Sequence, residues 1–454
     1  MNRVHFIAIG GSAMHNLAID LYNQGYDVSG SDDEIFEPAL SKLKKYDLLP
    51  ESIGWHPEII NDKINFIILG MHAKADNPEL LKAKELGLQI YSYPDFLYKH
   101  SENKLRVVIG GSHGKTSITS MIMHVLKYIN IDFDYMVGSK IDGFDTMVRL
   151  TKDSNVIIIE GDEYLASPLD PRPKFHIYKP HIALISGIEW DHINVFPTFD
   201  NYKQQFSKFI DLIEQNGTLI YTADDSNVID VVNTSRNNIK KLAYKAIDFE
   251  IKDGITYIET PIGKQEVYVF GLHNMKNIAG AHLICKELGV DDMQFFEAIQ
   301  TFKGSSKRLE LIYKGASVNI YKDFAHSPSK LKATIDAVKA QFPERQLIAF
   351  MELHTYSSLN KDFLPEYSNA MDKADVPIVF YNNHALELKR MPPLDKEYVK
   401  KCFKNNDLKV FDNLSEFNEF LNNVTWEKTN LLLMSSGNFG NLNIANLIHL
   451  IESK

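Results

Sequence analysis

Short apolar runs of strand length alternate along the chain with segments whose apolar residues recur at helical spacing. Val4-His5-Phe6-Ile7-Ala8-Ile9 leads to a turn at Gly10-Gly11-Ser12, after which Ala13, Met14, Leu17, Ala18 and Leu21 share one helical face. Strand-like runs follow at 66–69 and 88–91, and the polar stretch 99–104 then separates this region from a new strand at 105–109. Beyond a glycine-rich turn, Ile118, Met121, Ile122, Val125 and Leu126 keep the helical repeat, and strands are expected at 155–159 and 182–185. A third region starts near Tyr313, with strands at 318–321, 347–350, 378–381 and 431–434 and a helix carrying Leu331, Ile335, Val338 and Phe342 on one face. Strands alternating with helices predict βαβ units and largely parallel sheets, so the expected fold class is α/β, three times over.

Length agrees with that count, because 454 residues correspond to about three domains at roughly 150 residues each. With 49 Lys and Arg against 59 Asp and Glu the net charge is −10, which repels a phosphate backbone, so no nucleic-acid partner is expected. Two cysteines, Cys285 and Cys402, are too few and too distant for a disulfide framework or a paired zinc site. No stretch reaches the roughly 18 apolar residues of a membrane span and the start has no signal-peptide core, so a cytoplasmic protein without membrane association is expected.

The sharpest local signal is Ile109-Gly110-Gly111-Ser112-His113-Gly114-Lys115-Thr116-Ser117, a strand end, a turn of small residues and a helix start. Glycines let backbone N–H groups approach phosphate oxygens, the helix start adds free N–H groups and a positive dipole end, and Lys115 adds a cation. Thr116 can place its hydroxyl on a magnesium ion. Gly110 and Gly114 enclose three residues where the general phosphate-loop motif has four, making this a variant loop. The alternative is an ordinary turn with a chance Gly-Lys-Thr.

Other clusters leave two readings open. Gly10-Gly11-Ser12 precedes a helix, and Asp32 lies about 20 residues on, where a dinucleotide fold keeps a ribose-binding carboxylate. Ser12 and His15 stand where that fingerprint needs glycine, so a nucleotide diphosphate on the helix start and a purely structural turn both fit. Glu160 and His192 follow predicted parallel strands, and ligands in open α/β sheets bind outside strand carboxyl ends. They either share magnesium with Thr116 or end and cap those strands. Asn274 and Asn277 suit a base edge or a helix cap, and Asp323 suits a ribose or a cap for its own turn.

Taken in this order, the motifs resemble the Mur ligase family, the ATP-dependent amide-forming enzymes of peptidoglycan synthesis, over essentially the whole chain. The resemblance implies a Rossmann-like UDP-sugar domain at 1–104, a central P-loop ATPase domain at 105–312 and a C-terminal Rossmann-like domain at 313–454 for the incoming amine. It implies UDP-sugar contacts at Gly10, Gly11, Ser12, Ala13, Met14, Asp32 and His72. ATP contacts are implied at Gly111, Ser112, His113, Gly114, Lys115, Thr116 and Ser117, with Asn274 and Asn277 beside adenine and Arg308, Asp323 and His326 completing the set. Magnesium falls to Thr116, Glu160 and His192, and the catalytic group is Lys115, Glu160 and His192.

Within the family, 160–164, 170–175 and 434–440 resemble the branch that attaches L-alanyl-γ-D-glutamyl-meso-diaminopimelate to UDP-N-acetylmuramate; the L-alanine-adding branch is its near relative. The implied partners are UDP-N-acetylmuramate and an amino acid or short peptide, joined through an acyl phosphate, with ATP and Mg2+. Lys307 stands where a second arginine is common and Ser327 where a second histidine often stands. Glu352-Leu353-His354-Thr355-Tyr356-Ser357 lacks the arginine usual in the amine loop, the natural partner of a carboxylate. The rival classes are a regulatory P-loop NTPase, which needs no N-terminal nucleotide domain, and a nicotinamide-dependent dehydrogenase, which the failed glycine fingerprint disfavours. The sequence carries no signal of oligomeric state.

Overall fold

The computed structural model describes residues 2–235 and 237–453. By its internal contacts the chain divides into two compact units: Met1–Ile188 with Lys203–Tyr244 and Gly280–Val290, and Glu189–Tyr202 with Lys245–Ala279 and Asp291–Lys454.

The first unit holds two principal sheets. Strands β1 (Arg3–Ile7), β2 (Asp27–Ser31), β3 (Phe66–Leu69) and β4 (Gln89–Ser92) are all parallel in the order β2-β1-β3-β4. The helix Tyr93–Ser101 starts on the Ser92 cap and runs into the polar stretch expected to be a separator. Its end is held by the Ser101 hydroxyl on Leu97 O at 2.7 Å, and Lys104 just beyond is buried against Asp134 at 2.6 Å. Polarity there reflects a helix end and a buried ion pair.

The second sheet contains β5 (Leu105–Gly110), β6 (Asp134–Met136), β7 (Val148–Arg149), β8 (Val156–Glu160), β11 (Ile182–Ile185), β12 (Thr218–Thr222) and β13 (Lys240–Tyr244). Their order is β13-β12-β11-β5-β8-β6-β7, and β7 runs antiparallel at one edge. A hairpin of β9 (Leu165–Ser167) and β10 (Asp170–Pro173) stands apart from it. Val107-Val108-Ile109, Ile157-Ile158-Ile159 and Ala183-Leu184-Ile185 are completely buried, the pattern of central parallel strands covered on both faces.

The second unit begins its own sheets with the antiparallel meander β14 (Phe249–Lys252), β15 (Ile255–Thr260) and β16 (Gly263–Val267). The six-stranded sheet that follows contains β17 (Glu310–Lys314), β18 (Val318–Asp323), β19 (Gln346–Leu353), β20 (Val376–Tyr381), β21 (Lys409–Phe411) and β22 (Thr429–Met434), in the order β17-β18-β22-β19-β20-β21. It is parallel except for β17. In β19, Leu347, Ala349, Met351 and Leu353 enter one core while Ile348 and Phe350 enter the other, so the two-residue strand period explains an unbroken apolar run. Among the described residues, no helix is long and apolar enough to cross a membrane.

Candidate active site

The variant glycine loop closes β5 onto the helix Lys115–Tyr128. Gly111 and Gly114 take φ values of +131° and +77°, conformations open to glycine at little cost, and a Cβ on Gly111 would overlap the Ser186 hydroxyl. The end of β11 props the loop: Ser112 N donates to Gly187 O at 3.0 Å, Ser186 N to Gly110 O at 3.1 Å, and the Ser186 hydroxyl to His113 O. Ser112, Thr116 and Ser117 are buried, and no acidic residue occupies the first turn of the helix to oppose an anion.

Lys115 Nζ donates to Gly111 O at 2.6 Å and to the buried Glu163 at 2.5 Å. Burial alone would push this ammonium down, but Glu163 and Asp162 outweigh it and hold its pKa above the ordinary lysine value. A phosphate oxygen entering the loop would compete with Glu163 for a lysine that stays charged. Thr116 Oγ1 donates to Glu160 Oε1 at 2.8 Å, and Gly138 N to Glu160 Oε2 at 2.7 Å. A hydroxyl and a carboxylate side by side are hard oxygen donors, which suit magnesium.

The N-terminal corner is built differently. Gly10 N donates to Asp32 Oδ2 at 2.7 Å, and burial raises the Asp32 carboxyl to about 6 despite that donor. Gly11 precedes the helix Ser12–Asn23; Met14 is buried, Ser12 is exposed and Ala13 half-buried, while His72, beyond β3, is exposed.

In the second unit, His192 has φ +55° and its N–H donates to Asp191 Oδ1 at 2.8 Å. Asp191 also meets Lys330 at 3.1 Å and His326 at 3.7 Å; burial would raise its carboxyl, but Lys330 and His326 hold it well below the usual range. Asn277 donates to Asn274 Oδ1 at 3.2 Å, and Asn274 caps Phe270 O at 2.9 Å, so both amides already do helix-start work. Asp323 accepts Leu309 N and Ala325 N, each at 2.6 Å, which fits the turn-holding alternative, while Arg308 lies 4.9 Å over the Phe324 ring.

At the carboxyl end of β19, Lys389 sits 5.1 Å from the exposed Tyr356 ring. Burial lowers the nearby His354, and Lys389 lowers it further. A cation therefore stands by the segment whose sequence lacks arginine, delivered by a residue more than thirty positions later. The sequence reading also passed over Glu163 as a partner of Lys115, Ser186 as a prop of the loop, and Lys330 on Asp191. Glu163 had a signal, its place in the acidic run after β8; Ser186 and Lys330 had none short of the fold.

Residues 3–104 match the catalytic-domain model of the Mur ligase family and residues 109–285 match the Mur ligase middle domain. A UDP-N-acetylmuramate–L-alanine ligase from Caldanaerobacter subterraneus is 31% identical over 451 residues, covering 96% of this chain and 95% of that protein. The chain belongs to the Mur ligase family. This Mur ligase is accordingly an ATP-dependent, amide-forming enzyme of peptidoglycan synthesis. The equivalent ligase of Caldicellulosiruptor bescii is 32% identical over 393 residues, 84% of this chain and 83% of that one. Among solved structures it is similar to the UDP-N-acetylmuramate–alanine ligase of Thermotoga maritima, with TM-score 0.72, 19% identity and coverage of 100% and 99%. A murein peptide ligase from Psychrobacter arcticus gives TM-score 0.68 and 21% identity with the same coverage. At such identities the likeness is one of fold, the three-domain α/β fold of Mur ligases.

Proposed function

We propose that this Mur ligase joins UDP-N-acetylmuramate to L-alanyl-γ-D-glutamyl-meso-diaminopimelate through an acyl phosphate. In this reading 1–104 holds the UDP-sugar, 105–312 ATP and magnesium, and 313–454 the incoming amine. The observation that carries the peptide over a single amino acid is the Lys389, Tyr356 and His354 rim at the carboxyl end of β19. A tripeptide bearing several carboxylates gains from a half-buried cation beside an exposed aromatic ring, whereas alanine has one carboxylate to satisfy. The alternative amine is L-alanine, favoured by relatives at 31–32% identity named for that activity.

Two anions must meet when the lactyl carboxylate attacks the γ-phosphate, so the help required is chiefly electrostatic. Backbone N–H groups of the Gly111–Thr116 loop hold phosphate oxygens, and Lys115 neutralises the transferring group. Thr116, Glu160 and His192 would hold magnesium, which when bound neutralises phosphate charge. Phosphate release measured with UDP-N-acetylmuramate and ATP, adding tripeptide, L-alanine or no amine, tests the reading. Release dependent on the tripeptide is expected; release dependent on L-alanine moves the enzyme to the other branch, and release without amine makes it a hydrolase.

A further inference from the structure

The helix after the N-terminal glycine turn buries three polar residues among apolar core, the adjacent His15 and Asn16 and, one turn on, Asp20. His15 is 1% exposed and Asn16 0%, among buried Met14, Leu17, Ala18 and Leu21. Buried polar groups are costly unless satisfied, and these are satisfied in full. The Asn16 Nδ2 group donates to Ser12 O at 2.7 Å and faces His15 Nε2 at 2.9 Å. Its Oδ1 accepts Lys42 Nζ and Met147 N, each at 3.2 Å. Turning the amide over would set donors against donors and an acceptor against acceptors, so the network fixes its orientation.

His15 extends the chain of bonds back to the turn. Its Nδ1 faces Gly11 O at 2.9 Å, and because a carbonyl can only accept, Nδ1 carries the proton and Nε2 accepts from Asn16. Burial, the largest influence on this ring, lowers its pKa and keeps that neutral form. On the far side, Met147 immediately precedes β7, the edge strand of the seven-stranded sheet. One helical turn on, Asp20 Oδ2 accepts Leu150 N at 3.0 Å, just past the same strand. Side chains four residues apart on one helix face thus take the N–H groups that flank an edge strand.

We propose that Asn16 is a positioning residue that couples the Gly10–Ser12 turn to the edge of the central sheet, setting the reach of a UDP-sugar held on that turn toward the Gly110–Thr116 loop. The inference rests on the reading that this turn takes UDP-N-acetylmuramate. Losing the Asn16 amide takes its donor from the Ser12 carbonyl and from His15 Nε2, and it removes one of the two side-chain bonds that this helix makes beside β7. Small misplacements of reacting groups are amplified in rate, so the consequence should appear in the chemistry before it appears in nucleotide affinity.

Calorimetric binding of UDP-N-acetylmuramate to the full-length enzyme comes first, followed by steady-state kinetics of Asn16→Ala and Asn16→Asp. The second variant keeps size and both acceptor contacts, and it serves where the first does not fold. The expected result is a kcat lowered by about tenfold to a hundredfold, a raised KM for the UDP-sugar, and an unchanged KM for ATP. Correctly folded variants with wild-type UDP-sugar KM and kcat overturn the role of Asn16, as does a loss of melting temperature with kcat intact. Absence of UDP-sugar binding by the wild-type enzyme overturns instead the reading of the turn itself.

Discussion

The first unit contains two strand–glycine–helix corners, Gly10–Ser12 and Gly110–Lys115, that look alike in sequence and are built on different physics. In the second, Gly111 and Gly114 adopt positive φ, the end of β11 holds the loop, and a half-buried lysine stands beside it. In the first, positive φ falls on Ala8, and neither Gly10 nor Gly11 needs it. Gly10 is required there for closeness, since a Cβ would lie 2.9 Å from the Asp32 carboxylate. No cation follows this turn, and a carboxylate takes one of its N–H groups. The second corner therefore suits concentrated phosphate charge, whereas the first suits a ligand whose binding tolerates a neighbouring acid.

The largest effect that separates the corners is expected from Lys115→Ala. Removing the one loop cation that faces Glu163 should abolish acyl-phosphate formation, a fall of about a thousandfold or more, while UDP-sugar binding at the first corner stays. ADP release that depends on UDP-N-acetylmuramate, measured in a variant whose folding is checked by thermal melting, decides it. Normal release would remove Lys115 from phosphoryl transfer. The next effect concerns metal: Glu160→Gln or His192→Ala should raise the magnesium needed for half-maximal rate by about tenfold to a hundredfold. Unchanged titrations in both variants would take these residues out of the metal site.

Much of this organisation was legible because buried parallel strands write unbroken apolar runs. Strands at 66–69 and 182–185 were placed to the residue, and the helix after the glycine loop followed from its 3.6-residue repeat. The β14–β16 meander was missed although Asp253-Gly254, at φ +54° and +76°, is a two-residue hairpin turn with a known sequence signature. Its strands are short, half-exposed and charged, so the apolar signal was faint. Asn16 was passed over for a different reason. Its four partners come from residues 12, 15, 42 and 147, and only folding brings them to one amide. For the same reason no local pattern shows that Asp323 accepts the N–H groups of Leu309 and Ala325.

The smallest effect tests the acid at the first corner. Burial raises Asp32 from 3.8 to about 6 in the folded chain, so folding takes up a proton between those values. Stability contributed by the protonated form is complete below pH 3.8 and is lost as pH rises through about 6, by an amount on the order of 1–3 kcal/mol. Asp32→Asn keeps an acceptor for Gly10 N but cannot titrate, so its stability should be flatter across that window. Urea midpoints of the two proteins from pH 4 to pH 7 measure the difference. If the wild-type curve is as flat as the variant's, Asp32 is ionised throughout, and a full negative charge then sits on the N–H groups of the first corner. A sugar diphosphate would meet electrostatic opposition there, and its phosphates would have to be held by donors away from Gly10.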